Sequence, residues 1–314
     1  MMDIPLAIQV LKETTTNEDL ALEAKNFLQL TVTKEIDCLS GKDLTGINFE
    51  GIVLTSVDFT NSNLTNANLD FAQLENAVFR NTTLENTQFY KANLSRALFE
   101  DMQIEEANFK RANLKRSGFF SVEISDSSFE DSKMNLAKFN QSSLKSVNFD
   151  DAKLKNVQIQ ESSLNEADLS GTDLSGARLQ KSSISDSNLK GVNFENANLE
   201  GVNMRRSNLK RASFIDTNLE DADLMDANLV DTTFYNANLK DTDLSWTKLN
   251  DAQITDSDLT RTNLKGAKLD DATIKNSKMH ETNLRLTDIS ETEIENVESE
   301  SLKLDGANPG DLGE

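Results

Sequence analysis

The sequence contains very few cysteine, histidine and proline residues. Its 314 residues include one cysteine, one histidine and two prolines. A single cysteine, Cys38, excludes a disulfide within the chain, and we expect it to be an unreactive structural thiol. Zinc sites are usually built from clusters of cysteine and histidine, which this sequence lacks. We therefore expect no disulfide, no metal site and no other cofactor.

Long apolar segments and export signals are also missing. The sequence has no run of about 18 apolar residues, close to the length that a membrane-spanning helix needs. Its first segment, MMDIPLAIQVLKETTT, contains Asp3 and lacks the basic start of a secretory signal peptide. We expect no membrane span and a reducing, cytoplasmic location.

Positive charge and aromatic side chains are scarce. Lysine and arginine number 32 against 53 aspartates and glutamates, which gives a net charge of −21. This acidic balance argues against direct binding of nucleic acid. The aromatic fraction of 6% suits a narrow core of repeated aliphatic side chains.

A five-residue frame fills most of the chain. It is clearest in GVNFENANLEGVNMRRSNLKRASF, residues 191–214, where a small residue, then Asn or Ser, then a large apolar residue recur. We call the large apolar residue the centre of each unit. Centres recur at every fifth position from Leu44 to Ile294, 51 times without insertion or deletion, and each is Leu, Phe, Ile or Met.

A period of five matches neither the 3.6-residue period of an α-helix nor the alternation of a β-strand. Short fixed periods are typical of solenoids. We predict that the centre and the small residue two positions before it point inward, while the other three residues point outward. Each unit then forms one side of a coil and turns before the next unit.

The spacing of phenylalanine predicts four sides per coil. Phe194, Phe214 and Phe234 are 20 residues apart, and a phenylalanine recurs every ten residues between Phe79 and Phe149. In a four-sided coil these rings stack on one side or on two opposite sides, whereas a three-sided coil would scatter them.

Proline, glycine and asparagine support coils that hydrogen-bond to one another. Pro5 and Pro309 both lie outside the frame, as expected because proline cannot donate to a backbone ladder. Glycine often occupies the second position after a centre, as at Gly46 and Gly51, where a tight corner favours positive φ. The asparagine before many centres can bond the nearby turn backbone.

This pattern resembles the pentapeptide-repeat family, whose consensus is A(D/N)Lxx. Direct matches are Ala197-Asn198-Leu199, Ala222-Asp223-Leu224 and Ala237-Asn238-Leu239. The resemblance covers residues 39–298 and implies an all-β solenoid, a right-handed quadrilateral β-helix. About 13 four-sided coils spaced about 4.8 Å apart would make a rod on the order of 60 Å long.

The two ends of the chain depart from the frame. Residues 1–38 are predicted to form an α-helical N-terminal cap of two short helices, one after Pro5 and one capped by Thr16 or Asn17. Residues 299–314 form an acidic C-terminal tail. Two alternatives remain for this end, a homodimer through an open last coil and a frayed, solvated tail.

The frame offers no obvious catalytic site. His280, the only histidine, directly follows a centre and is expected at the surface. The sequence has no phosphate-binding glycine loop and no glycine-rich dinucleotide turn. Carboxylates on the outside of an open rod lack the concave, desolvated site that acid–base catalysis normally needs. We predict that the protein is not an enzyme.

Basic residues cluster on one side of the predicted coil. With 20 residues per coil, the side that includes Leu94 and Leu114 gathers basic residues and no acidic one over four units. These residues, which we call the basic side, are Arg96, Lys115, Arg116, Lys133, Lys153 and Lys155. The residues of a second basic cluster are Arg205, Arg206, Lys210 and Arg211. Partner binding and ordinary scatter of surface charge both fit this pattern.

Outward apolar residues pair in the same frame. Tyr235 is predicted to stack on Ile215 and Trp246 on Met225, each one coil apart, and these two aromatic residues are candidate partner anchors. The remaining predicted pair, on adjacent coils, is Phe71 with Tyr90.

We favour a non-catalytic protein-interaction scaffold, a rigid rod that presents flat charged faces to a partner protein of unknown identity. The resemblance supplies an alternative, because some acidic family members mimic duplex DNA, bind DNA gyrase or topoisomerase and protect it from inhibitors. The uninterrupted frame and the basic side argue against that alternative. A third hypothesis is a scaffold that docks on a membrane or polyanion through the basic side.

Overall fold

The computed structural model describes residues 2–13, 18–35 and 37–308. The chain divides into two compact units, Met1–Lys153 and Leu154–Glu314. The division falls inside the five-residue frame rather than at either end of it.

Two helices precede the repeat, as predicted. They are α1, Ile4–Lys12, and α2, Glu18–Val32. The Asp3 side chain caps α1 by accepting a hydrogen bond from the Leu6 N–H at 2.9 Å. The helix begins at Ile4 rather than after Pro5. A proline fits here because the N–H groups of the first helical turn make no hydrogen bond within the helix, so that none is lost. The predicted caps of α2, Thr16 and Asn17, lie outside the described residues.

The helices lie against the first turn of the repeat. The Asn48 N–H donates to the carbonyl of Leu11 at 2.8 Å, and the Lys12 ammonium lies 3.0 Å from the Asp43 carboxylate. Hydrogen bonds from Thr45 and contact with Lys12 lower the pKa of Asp43 to about 2. Cys38 is buried beyond α2, and its burial raises the pKa of the thiol, which keeps it protonated.

The first unit is a parallel β-solenoid. Its strands are β1 (Val78–Arg80), β2 (Leu98–Glu105), β3 (Gly118–Ser125), β4 (Lys138–Asn140) and β5 (Ser143–Lys145). Residues 20 apart are partners, as in Phe79 with Phe99 and Phe99 with Phe119. Since each unit of the frame spans five residues, this register confirms four sides per turn.

The second unit repeats the same architecture. Its strands are β6 (Gln158–Gln160), β7 (Ser213–Ile215), β8 (Thr233–Tyr235), β9 (Gln253–Thr255), β10 (Thr273–Lys275) and β11 (Glu293–Glu295). Strands β7 to β11 form a parallel sheet in sequence order, with Phe214 opposite Phe234 and Phe234 opposite Ile254. Single parallel bridges hold the other sides in the same register, as between Asn203 and Asp223.

The centres form the core. From Leu44 to Ile289 every centre is buried, together with nearly every residue two positions before it. The inward assignment of the frame is therefore confirmed. Small residues two positions before the centre leave room for the larger centres in a narrow interior.

Polar residues in the frame have repeated partners. The buried hydroxyl of Thr87 donates to the carbonyl of Leu64 at 2.9 Å, which satisfies a polar group in the core. The amide of Asn208 donates to Asn188 at 3.1 Å and its oxygen accepts from Asn228 at 3.2 Å. Asparagine before a centre thus links successive turns, in addition to bonding its own turn.

The corners use the left-handed backbone region. The second residue after almost every centre has φ near +60°. At most of these corners the N–H that follows it donates to the carbonyl of the centre. This is the geometry of a turn whose third residue favours Gly, Asn or Asp. Most corners carry these residues, but the corner residues Phe71, Leu136, Trp246 and Leu286 are large and apolar.

The turn count is about 11, slightly below the 13 expected. The last part of the frame does not form a buried turn, because centres from Ile294 onward are half-buried or exposed. Parallel pairing nevertheless reaches Asn308, which is opposite Asp288. Within the described residues, neither helix is long and apolar enough to cross a membrane.

Candidate protein-interaction surfaces

The basic side lies mostly on one side of the first unit. Asn113 is the register partner of Lys133, and Lys133 is the partner of Lys153, so successive turns place these residues in one column. Lys115 and Arg116 lie at the edge of this column, at a corner where Arg116 has a φ of 60°. All the lysines and arginines of the basic side are exposed. Lys155 belongs to the second unit.

Carboxylates neutralise only part of this surface. Arg96 pairs with Glu75 at 3.2 Å. On the preceding corner Lys110 pairs with Glu130 at 2.6 Å, and Arg111 with Asp131 at 3.1 Å. By contrast, within the described part of the chain no carboxylate lies within 4.0 Å of the basic groups of Lys115, Arg116, Lys133 or Lys153. Lys133 and Lys153 are register partners, and like charges in register repel one another.

A shallow depression lies beside the free cations. It has a volume of about 410 Å³, and its lining includes Arg96 with its partner Glu75, together with Lys115, Arg116, Asn135 and Leu136. The side-chain oxygen of Asn135 is buried and accepts no hydrogen bond. Leu136 is 43% exposed at a corner with a φ of 64°. The depression therefore combines positive charge, a free acceptor and an apolar surface.

An aromatic cluster occupies the other edge of this side. Phe71 and Tyr90 meet edge to face with ring centroids 5.6 Å apart, which confirms their predicted pairing. The Lys91 ammonium lies 5.0 Å from the centre of the Tyr90 ring and 5.6 Å from that of Phe71. The hydrogen bond with Lys91 lowers the pKa of the Tyr90 hydroxyl, and the hydrogen bond with Arg111 lowers it further.

The second basic cluster is fully paired. Arg206 forms two hydrogen bonds with Asp186, at 2.7 and 2.8 Å, and lowers the pKa of that carboxyl. Arg205 pairs with Asp223 at 3.1 Å. Lys210 and Arg211 both lie 3.5 Å from Asp231. These cations are balanced within the second unit, unlike those of the basic side.

The two predicted aromatic anchors have different surroundings. Tyr235 is 47% exposed and lies in register beside Ile215, as predicted. Trp246 is 50% exposed and lies against Gly266 of the following turn. The sulfur of Met225 contacts Arg205 of the preceding turn, 2.7 Å from its guanidinium.

Sequence reasoning missed several residues of these surfaces. Leu136 and Asn135 line the depression beside Lys115, and Gly266 and Lys265 contact Trp246. The 20-residue offset could have found Gly266, because it directly follows Trp246 in the same corner column. Side-chain contacts such as that of Lys265 have no periodic signal.

Among the described residues, no group of three or more His, Cys, Asp and Glu residues could hold a metal ion. His280 is half-buried, and its Nε2 lies 3.9 Å from a Glu298 carboxylate oxygen.

Four-sided parallel turns, buried centres and left-handed corners define a parallel β-solenoid built on five-residue units. A sequence profile described as the pentapeptide repeat region matches residues 40–109, 105–169, 157–232 and 187–268. These matches cover more than half of the chain. The protein therefore belongs to the pentapeptide repeat family, which confirms the predicted resemblance. No curated protein sequence matches it significantly.

Several solved structures share the repeat. HetL, a pentapeptide repeat protein involved in heterocyst differentiation regulation from the cyanobacterium Nostoc sp. strain PCC 7120, is 19% identical; the match covers 90% of this chain and 94% of HetL with a TM-score of 0.21. Full-length QnrB1, a plasmid-mediated fluoroquinolone resistance protein, is 17% identical, over 52% of this chain and 92% of QnrB1, with a TM-score of 0.27.

A third similar structure is a pentapeptide repeat protein from the Arabidopsis thaliana thylakoid lumen. It is 22% identical, and the match covers 44% of this chain and 71% of that protein with a TM-score of 0.16. At these identities and TM-scores, the likenesses do not assign a function or a partner to this chain.

Proposed function

We propose that the protein is a non-catalytic scaffold that binds a partner protein through flat sides of its solenoid. The observation that carries the proposal is the set of free cations on the basic side, Lys115, Arg116, Lys133 and Lys153. In a protein with a net charge of −21, these four cations are exposed on one surface, and no carboxylate of the described residues lies within 4.0 Å of their basic groups. An acidic partner surface would relieve their mutual repulsion.

The neighbouring side chains make a protein a suitable partner. Leu136 and the Phe71–Tyr90 pair supply apolar and aromatic surface on the two edges of the basic side. Binding hot spots in protein interfaces are typically aromatic and arginine side chains surrounded by polar groups. The basic side has both components, Arg116 among them, on a rigid ladder of hydrogen-bonded turns.

A charge-reversal experiment tests this proposal. The variant Lys115→Glu/Arg116→Glu should lose the partner that the parent protein captures from its native cell extract, and the loss should be verified with the purified partner. The matched control is Lys210→Glu/Arg211→Glu, in which the reversed cations are already paired with Asp231. Equal capture by the parent and Lys115→Glu/Arg116→Glu would refute a role for the basic side.

The same variants separate a protein partner from a polyanion. Binding to heparin or anionic vesicles that falls steeply with salt, without any protein captured through the basic side, would favour the polyanion hypothesis instead. A protein partner with an apolar contact should resist moderate salt better. Leu136→Asn should then weaken protein binding while leaving heparin binding unchanged.

A second candidate function is DNA mimicry toward DNA gyrase. Aspartates that occupy consecutive corners of one column, Asp251 and Asp271, favour it, because they present negative charge at a regular spacing on the second unit. The test is a gyrase supercoiling assay with and without a quinolone. Protection should be lost in Asp251→Asn/Asp271→Asn, and no effect of the parent protein at micromolar concentration would exclude this function.

A further inference from the structure

Trp246 occupies a corner that is poorly suited to tryptophan. Its φ is 61°, in the left-handed region that large L-residues rarely adopt, and its side chain is 50% exposed. The preceding corner of the same column is Asp226, and the following corners are Gly266, Leu286 and Gly306. Neither the backbone conformation nor the core explains a tryptophan at this corner, and such strained residues are common at binding sites.

The indole ring packs against Gly266 of the next turn. A Cβ atom at Gly266 would lie only 2.4 Å from two carbons of the ring, so glycine is needed for the ring to take this position. The Lys265 ammonium lies 6.0 Å from the ring centre, within reach of a cation–π interaction. The ring therefore lies against the Gly266 backbone, while the tryptophan side chain remains half-exposed.

Two lysines lie on the side of the turn that adjoins the Trp246 corner. Lys248 and Lys268 are exposed register partners on the adjoining side, about one strand spacing apart. In the part of the chain that the structure describes, no ion pair involves Lys248, Lys265 or Lys268. Asp288, the other register partner of Lys268, instead accepts hydrogen bonds from Ser290 and Asn308.

We propose that this surface, the Trp246 corner, binds an acidic segment of a partner protein. Its residues are Trp246, Lys248, Lys265, Gly266 and Lys268. An apolar side chain of the segment packs on the open face of the indole, and flanking carboxylates pair with Lys248 and Lys268. Charge complementarity favours this occupant, because Lys265 lies over the ring and the exposed Lys248 and Lys268 lie on the adjoining side. The proposal adds a second surface, on the second unit, to the proposed scaffold function.

The protein carries its own probe for this site, since Trp246 is the only tryptophan in the chain. The titrant is a short peptide in which glutamate alternates with leucine, and the control peptide has glutamine in place of glutamate. The acidic peptide should shift the tryptophan emission to shorter wavelength and protect it from acrylamide quenching. We expect the control peptide to bind about tenfold more weakly or not at all.

The variant Lys248→Gln/Lys268→Gln retains the tryptophan and tests the charged part of the site. Its affinity for the acidic peptide should fall by about tenfold, with an unchanged emission spectrum in the free protein. Absence of an emission change with the acidic peptide at millimolar concentration would overturn the proposal. Equal affinity of the parent and this variant, or of the two peptides, would overturn it as well.

Two further variants separate the Trp246 corner from the basic side. Trp246→Asn should lose binding of the dye-labelled acidic peptide without a fall in thermal stability, because asparagine tolerates this corner. The change in tryptophan emission caused by the peptide should be the same in Lys115→Gln/Arg116→Gln as in the parent, because it reports only on the Trp246 corner. Loss of this emission change in Lys115→Gln/Arg116→Gln, with the change retained in Lys248→Gln/Lys268→Gln, would refute the Trp246 corner and leave the function proposed for the basic side standing.

Discussion

The two units share one backbone plan and differ in the side chains that fill and cover it. The first unit stacks phenylalanines on two opposite sides, with Phe79 on Phe99 at 4.9 Å and Phe89 on Phe109 at 4.8 Å. The second unit has one short column, in which Phe214 stacks on Phe234 at 4.7 Å, and its other centres are mainly leucine. Aromatic and aliphatic centres can therefore both fill the core of the same four-sided turn.

The surfaces of the two units differ in a second way. The second unit balances its basic cluster, since Arg205, Arg206, Lys210 and Arg211 all have aspartate partners. The first unit leaves Lys115, Arg116, Lys133 and Lys153 without such partners among the described residues. A paired cation contributes mainly to the stability of its own unit, whereas an unpaired cation remains available for an ion pair with a partner protein. The comparison thus locates the candidate sites.

The largest expected loss of stability comes from placing a charge in the core of either unit. Met134→Asp in the first unit and Leu164→Asp in the second bury a carboxylate at a centre that is at most 1% exposed. Each should cost several kcal/mol of unfolding free energy, about 3 or more, because a buried charge has no partner there. Denaturant unfolding measures the effect.

The matched control for the first unit is Lys133→Asp, which places the same residue one position earlier, on the outside. It should leave the unfolding midpoint close to that of the parent. A parent-like midpoint for Met134→Asp or Leu164→Asp would contradict the inward position of that centre.

A smaller effect should separate the two kinds of core. Phe109→Ala removes a ring that stacks between Phe89, at 4.8 Å, and Phe129, at 4.6 Å. It should cost about 3 to 5 kcal/mol, because it loses both stacks and leaves a large cavity. Leu209→Ala, on the corresponding side of the second unit, should cost less, about 2 to 3 kcal/mol. Chemical denaturation of both variants gives the comparison.

Phe109→Leu keeps a large apolar centre and serves as the control for this pair. It should cost less than Phe109→Ala, since most of the interior remains filled. Equal losses for Phe109→Ala and Leu209→Ala would mean that ring stacking adds nothing to the stability of the first unit.

The smallest expected effect concerns surface pairing. Arg206 lowers the pKa of Asp186 below its usual 3.8, so the pair stabilises the fold above that pH. This stabilisation is lost as the pH falls through the lowered pKa of the folded state. Arg206→Gln should therefore lower the melting temperature slightly at neutral pH and have no effect in strong acid.

Arg116→Gln is the comparison variant, because Arg116 occupies an exposed corner of the first unit without a carboxylate partner. Its melting temperature should equal or exceed that of the parent at neutral pH. A loss of stability in Arg116→Gln as large as that in Arg206→Gln would contradict the difference between the two surfaces.

Much of the fold was predictable because the frame is repeated so often. The centres, their inward direction and the four sides followed from spacing alone, and the structure confirms each of them. The start of α1 at Ile4 was missed, since the sequence pattern marks Pro5 as a boundary while a helix accepts proline in its first turn. The corners were expected to favour glycine, yet Phe71 and Trp246 also adopt positive φ.

The candidate sites were predictable only in part. The 20-residue offset placed Lys115, Arg116 and Lys133 on one side, but it treated Arg205 and Arg206 in the same way. Only the structure shows that Asp186 and Asp223 neutralise those two arginines. Rotamers and the reach of long side chains decide such pairs, and neither has a periodic signal in the sequence.

The sequence by itself determined the geometry of each solenoid turn, with five residues per side, four sides and two inward positions in every five-residue repeat, and it also determined the helical start. It could do so because every repeat meets the same steric demand, and 51 repetitions are compatible with no other period. The tertiary structure alone decided which cations are free and where the indole of Trp246 lies. Those outcomes depend on distances of a few ångströms between residues on successive turns, such as Trp246 and Gly266.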